Sequence, residues 1–159
     1  MITGASRTLY ITNAYFVPDD DFVGMLRAAA RRGVDVRVLT AGEQTDVPIV
    51  RTAARARYEA LLRAGVRIYE YQPTMVHAKT IVADDLLTTI GTMNFDNRSL
   101  AFNAESNLLV QDSMVARTMR TKFEEDLRFS RQIVLADFEK RSSIAKLLER
   151  LASTAANLL

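Results

Sequence analysis

Cysteine and tryptophan are absent from this 159-residue chain, and histidine occurs once, at position 77. Without cysteine there are no disulfides, no thiolate metal sites and no cysteine nucleophile, which agrees with a reducing compartment. Charge of one sign is also scarce. Lys and Arg number 21 against 19 Asp and Glu, a formal net charge of +2, too weak a field to argue for nucleic acid. No run approaches the ~18–20 consecutive apolar residues that a membrane span needs. The first residues, Met1 to Arg7, lack the basic-then-apolar layout of a signal peptide. The chain is therefore expected to be soluble or peripheral, and it begins abruptly on a core strand. What is present is ordinary for a globular domain: 48% hydrophobic and 25% charged residues, with enough length for one sizeable core.

Periodicity predicts an α/β domain. Thr8 to Val17 is rich in β-branched and aromatic residues and reads as a strand. Pro18 and Asp19 to Asp21 open a helix whose face is Phe22, Met25, Leu26, Ala29 and Ala30, stopped by Gly33. Val34 to Leu39 alternates as a second strand. Strand–helix–strand units imply parallel neighbours in a sheet. The pattern repeats with a helix through Val50, Ala54, Tyr58, Leu61 and Leu62, closed by Gly65, and a strand over 66–71. Further strands are predicted over 76–82, 86–91 and 106–110, then a helix over 115–129. The whole chain, 1–159, reads as a single domain, with 130–159 as its C-terminal helical extension. In that extension Ile144, Leu147, Leu148, Leu151, Ala155 and Leu158 share one face. The plain expectation is that this face packs on its own domain; a dimer face or a membrane-surface helix is the sharper one.

The lone histidine stands in Val76-His-Ala-Lys-Thr-Ile-Val-Ala-Asp84. On a strand, residues i and i+2 share a face, so the imidazole of His77 and the ammonium of Lys79 are expected to point the same way. A hairpin across Asp84-Asp85 then returns Gly91-Thr-Met-Asn94 to the same end, bringing Thr92 and Asn94 near His77 and Lys79. An imidazole is a nucleophile and an acid/base near neutral pH. One ammonium with neutral amide and hydroxyl donors suits the non-bridging oxygens of a phosphodiester. No carboxylate cluster stands beside the histidine in the sequence, so the chemistry implied is phosphoryl transfer through histidine with neither metal nor other cofactor. A lone strand histidine is more often a satisfied core residue. The full pattern, His-x-Lys, then Asp, then Gly-Thr-x-Asn, fixes six positions, and its chance occurrence is roughly a few in a million.

That pattern resembles the HKD motif of the phospholipase D superfamily at every fixed position. The resemblance implies a phospholipase D-like mixed β-sheet flanked by helices, present as one half-unit. It implies that His77 is nucleophile or general acid, that Lys79 and Asn94 bind phosphoryl oxygens, and that Thr92 stands at the family's Ser/Thr position. Asp84 is the motif aspartate, usually structural, and Glu105 in Asn103-Ala-Glu-Ser-Asn107 matches a glutamate that orients a histidine. Asn13-Ala-Tyr-Phe-Val-Pro18, Ala29-Ala-Arg-Arg-Gly-Val-Asp-Val-Arg37, Gly65-Val-Arg-Ile-Tyr-Glu-Tyr71 and Gly91-Thr-Met-Asn-Phe-Asp-Asn-Arg-Ser-Leu100 are similar to the second half of bacterial cardiolipin synthases. This implies a phosphatidyltransferase acting on phosphatidylglycerol, peripheral on the cytoplasmic side of the cell membrane. Tyr15 and Phe16 are candidates to line the acyl or glycerol site, core packing being the plainer role for both. Arg98 is a candidate phosphate contact.

Two such motifs must face each other for the mechanism that the resemblance implies, and one histidine supplies one. The expected partner is a second copy of the chain or a separate first half with its own motif; an inactive truncated partner domain is the remaining reading. A metal-independent phospholipase D or endonuclease acting as a homodimer is the alternative enzyme. Nucleic acid is the less favoured substrate, given the weak charge and the lack of tryptophan for base stacking.

Overall fold

The structure, a computed structural model, describes residues 1–96, 99 and 102–156. Seven strands and five helices are described. β1 (Thr8–Asn13), α1 (Asp20–Arg31), β2 (Asp35–Ala41), α2 (Pro48–Arg63) and β3 (Arg67–Tyr71) form two right-through strand–helix–strand units. β4 (Lys79–Ala83), β5 (Leu87–Gly91) and β6 (Asn107–Gln111) form a meander. α3 (Ser113–Leu127), β7 (Ser130–Ile133), α4 (Leu135–Glu139) and α5 (Ser143–Ala156) complete the chain. One mixed sheet runs β6-β5-β4-β1-β2-β3-β7. β1, β2 and β3 are parallel, while β4 runs antiparallel to β1, and β7 to β3.

The elements form where the residue pattern places them. Asp19 caps α1 by accepting the Phe22 N–H at 2.7 Å, Asp20 and Asp21 sit at the positive end of its dipole, and Gly33 ends it at φ 90°. Alternate residues of the central strands feed two cores. Leu9, Ile11, Val36, Val38 and Ile68 pack against α1 and α2 on one face. Tyr10, Leu39 and Val82 pack against Ala116 and Phe123 of α3 on the other, with the Tyr10 and Phe123 rings stacked at 5.0 Å.

Two expectations need correction. Residues 130–159 are not a purely helical extension, because Ser130–Ile133 is the edge strand beside β3. The C-terminal helix does pack on its own domain, against α2, but not through the apolar face. Glu149, Ala152 and Ser153 are buried, while Ile144, Leu147, Leu148 and Leu151 are exposed. The buried carboxylate of Glu149, held by Arg55 and Arg141, turns the helix that way round.

Asp84 closes the far end of the β4–β5 hairpin. Asp84 and Asp85 both have positive φ, 55° and 56°, the signs of a type I′ turn, and the Leu86 N–H bonds to the Ala83 carbonyl. The Asp84 carboxylate accepts the N–H groups of Ser6, Arg7 and Thr8 at 2.7–2.9 Å and the Ser6 hydroxyl at 3.0 Å. Desolvation pushes this carboxyl up, but the backbone donors of Thr8, Ser6 and Arg7 outweigh it and hold it below the usual carboxylate range. A depressed folded value stabilises above the unfolded one and is lost as pH falls through it. Asp84→Ala is therefore expected to cost about 1–3 kcal/mol near neutrality. That deficit shrinks on acidification below about pH 4, read as the gap between the two melting curves; a gap independent of pH would refute the role.

Candidate active site

The site lies at the opposite end of the hairpin from Asp84. β4 begins at Lys79 rather than at Val76, so His77 lies two residues ahead of the strand in an extended segment, not on the strand itself. The expected convergence with Lys79 still occurs. Lys79 Nζ lies 3.1 Å from each ring nitrogen of His77 and donates to the His77 carbonyl at 2.8 Å. His77 is exposed, and Lys79 is buried to 9% relative exposure. Among the described residues no carboxylate lies within 4.0 Å of that ammonium. Burial lowers the Lys79 pKa, and the more distant charges of Glu105, Asp46 and Asp96 oppose the shift. A buried cation with no counterion in contact is a site prepared for an anion.

The second strand brings the neutral donors. Thr80 pairs with Ile90 across β4 and β5, so the same register sets Lys79 beside Gly91 and His77 level with the turn that follows. Gly91 admits no side chain: a Cβ there would meet Asn107 Oδ1 at 2.0 Å and the Ser106 carbonyl at 2.5 Å. Thr92 is clamped to Ser106, its N–H donating to the Ser106 carbonyl at 3.0 Å and its hydroxyl accepting the Ser106 N–H at 3.0 Å. The Thr92 hydroxyl donates to Glu105, and Asn103 Nδ2 donates to Glu105 at 3.5 Å. The Thr92 bond is the main cause holding the Glu105 carboxyl below its ordinary range. No hydrogen bond joins Glu105 to His77 among the described residues. The Asn94 amide oxygen is buried with no hydrogen-bond partner among the described residues.

Two residues of the site were not expected from the sequence. Asn13, buried at the end of β1, donates through Nδ2 to the Met93 carbonyl at 3.2 Å and accepts the Phe95 N–H at 3.1 Å. It brackets Asn94 from both sides. Asp46, in the loop after β2, accepts the Tyr15 hydroxyl at 2.7–2.8 Å. This anchors the Tyr15 ring edge-on to His77, with centroids 5.9 Å apart and 80° between planes. Lys79 Nζ sits 5.9 Å above the same ring. Burial and the Asp46 bond push the Tyr15 phenol up to about 12. No composition or spacing signal marks either residue, since their partners are distant in sequence.

Tyr15 thus stands in the site, but Phe16 does not, and its place among the substrate-lining candidates is corrected. Its side chain is fully buried and packs on Phe95 at 6.1 Å, because successive residues of an extended segment face opposite sides. Arg98 lies outside the described residues.

The chain is similar to known proteins in sequence and in fold. The family described as "Cardiolipin synthase, PLD-like domain" matches residues 1–127. A cardiolipin synthase of Clostridium perfringens is 40% identical over 149 residues, covering 94% of this chain and 31% of the relative. Cardiolipin synthase 2 of Staphylococcus epidermidis is 35% identical over 159 residues, 100% of this chain and 32% of the relative. The chain therefore spans about a third of the length of the curated relatives it matches. In fold it is similar to Nuc of Salmonella typhimurium, a phospholipase D family member, with TM-score 0.74 and 19% identity over 84% of this chain and 86% of that one. It is also similar to phosphatidylserine synthase of Haemophilus influenzae, with TM-score 0.72 and 13% identity over 98% of this chain and 42% of that one.

The bracketing by Asn13 has a measurable consequence. Asn13→Ala leaves the buried Phe95 N–H without its acceptor, and thermal denaturation is expected to show a loss of about 1–3 kcal/mol. Asn13→Asp keeps that acceptor and is expected to recover part of the loss. Equal melting points for Asn13→Ala and the parent chain would show that the bracket holds nothing.

Proposed function

Since the chain belongs to the phospholipase D-like family of the cardiolipin synthases, we propose that it is the catalytic half of a phosphatidyltransferase acting on phosphatidylglycerol. The observation that carries the proposal is the buried ammonium of Lys79 against His77, with no carboxylate in contact among the described residues. An anionic phosphodiester supplies the missing charge. Lys79 and Asn94 take its non-bridging oxygens, Thr92 keeps its orientation through Glu105, and Tyr15 borders the alcohol at the mouth of the site.

The reaction needs two histidines. One attacks phosphorus, forming a P–N bond as the P–O bond to glycerol breaks. The other gives its proton to the departing glycerol oxygen. It then takes the proton from the hydroxyl of a second phosphatidylglycerol, whose oxygen attacks phosphorus and releases the first histidine. This chain supplies His77 as one of the two. Support for a partner comes from the open sheet edge next to the site. β6 is exposed along nearly its whole length, with Leu108 at 62% and Leu109 at 61%, and the nearby Phe102 at 82%, an apolar edge that a lone domain ordinarily covers. A first half carrying its own HKD motif, or a second copy, meets that need. No helix among the described residues is long and apolar enough to cross a membrane, and the proposed placement is peripheral, on the cytoplasmic face where phosphatidylglycerol is reached.

The test is turnover of phosphatidylglycerol vesicles in EDTA by the chain alone and mixed with a first-half segment bearing a second His-x-Lys motif. Formation of a diphosphatidyl product is expected in the mixture. His77→Ala is expected to abolish it, and Lys79→Met to slow it by about 10²–10³-fold. Cleavage of duplex DNA with phosphatidylglycerol untouched, or inactivity on both when light scattering shows the pair assembled, would overturn the proposal.

A further inference from the structure

The amphipathic helix α5 is mounted with its polar side inward. Glu149 is 5% exposed and held by Arg55 at 3.2 Å and Arg141 at 2.9 Å, with Ala152 and Ser153 buried beside it. Ile144, Leu147, Leu148 and Leu151 look outward at 72%, 56%, 55% and 59% exposure. A stripe of four large aliphatic side chains in water opposes the normal burial of such a helix. Something outside the described fold is expected to cover it.

The charges around the stripe identify what. Three residues of α5 are charged, Lys146, Glu149 and Arg150. The only carboxylate of the helix faces inward and is neutralised, so the charges it leaves at the stripe are cationic: Lys146, half-buried and donating to the Glu139 carbonyl at 2.9 Å, and Arg150, exposed. A second copy docked by this face would set these cations against their own counterparts. Four exposed aliphatic side chains are also few beside the roughly 20–30 residues a side of a standard protein interface. An apolar stripe flanked by cations matches the boundary of an anionic bilayer, where aliphatic side chains enter the acyl region and cations meet headgroup phosphates.

The direction of the helix fits the same occupant. Arg63 near the end of α2 pairs with Glu139, Arg141 approaches Glu59 at 3.8 Å, and Glu149 meets Arg55. α5 therefore runs antiparallel to α2, and its C-terminal end approaches the start of α2 at Pro48. The loop just before Pro48 holds Asp46, which anchors Tyr15 beside His77. The C-terminal end of α5, one turn beyond Leu151, and the mouth of the site thus lie toward the same end of the molecule, and the stripe runs from there along α2.

We propose that the outer face of α5 is a docking surface for an anionic phospholipid membrane, holding the site at the bilayer that contains its substrate. This rests on the phospholipid substrate proposed above. The experiment is co-sedimentation of the full chain with vesicles of phosphatidylglycerol and phosphatidylcholine, or of phosphatidylcholine alone. Binding is expected on the mixed vesicles and much less on the neutral ones. The double variant Leu147→Glu, Leu148→Glu, its fold checked by circular dichroism, is expected to bind at least about ten-fold more weakly. Arg150→Glu is expected to weaken binding to the anionic vesicles only. His77→Ala is expected to bind as the parent chain does.

Absence of vesicle binding, or a double variant that binds like the parent, overturns the proposal. So does a light-scattering dimer that this variant dissolves, which would make the stripe a protein interface. Dihexanoyl phosphatidylglycerol below its micellar concentration separates the two proposals, because it needs the site and not the membrane face. Turnover of that soluble lipid without vesicle binding overturns the docking face alone. Vesicle binding with no turnover of any phosphatidylglycerol by the assembled pair overturns the functional proposal alone.

Discussion

The pairing of β1 with β4 is the constraint on which the site depends. In that register Asn13 lies opposite Lys79 and Leu9 opposite Ala83. A slip of one residue would turn Lys79 to the other face of the sheet and Asn13 away from the Met93–Phe95 turn. Each end of the pairing carries its own polar lock. At one end the carboxylate of Asp84 binds three successive N–H groups leading into β1. At the other the amide of Asn13 binds the backbone on both sides of Asn94. Asp84 is thus a structural member of the motif that acts from the far end of a five-residue strand, and its influence on His77 is transmitted through register, not contact.

Two buried charges show how differently the fold treats structure and chemistry. Glu70 is fully buried, and Arg51, Arg55 and Arg131 meet its two oxygens at 2.8–3.0 Å. Desolvation raises its pKa, but the hydrogen bond and charge of Arg51, with the other arginines, more than offset this, and the carboxyl titrates low. Such a cluster ties α2, β3 and β7 together and has no charge left for a ligand. Lys79 is treated in the opposite way. It is buried, its nearest polar neighbours are a histidine ring and a carbonyl oxygen, and its pKa falls. The cost of keeping it charged is one that a bound anion would offset, which is what the proposed role as a binding group rests on.

The parts of the fold legible in the sequence were those carried by local pattern. Alternation and helical periodicity placed six strands and the three long helices before the terminal one, because each rests on residues within one element. The His77, Lys79, Asp84, Thr92 and Asn94 set was legible because one hairpin holds it all. Asn13 and Asp46 were not, since the contacts that give them a role cross 80 or more residues in one case and 31 in the other. β7 escaped notice because Ser130-Arg-Gln-Ile133 is short and polar at three of its four positions, and it is a strand only because β3 offers it an edge. Phe16 takes the plainer of its two expected roles, core packing, because the extended backbone sends it to the side opposite Tyr15.

Helix α5 is the instructive failure of periodicity. Its apolar stripe was read correctly, and so was its docking on the domain, yet the two do not coincide. Periodicity states which residues share a face; it does not state which face meets the core. That choice was made by Glu149, whose carboxylate lies between Arg55 and Arg141 and would have been turned away from both cations had the helix rolled over. Burying Ile144, Leu147, Leu148 and Leu151 instead would have broken that ion network, taking Glu149 from Arg141 and leaving Arg55 with Glu70 alone. The network and the stripe therefore compete for the same contact with α2, and the ion network wins inside the domain. The stripe is thereby released to the surface that a membrane-bound substrate would approach.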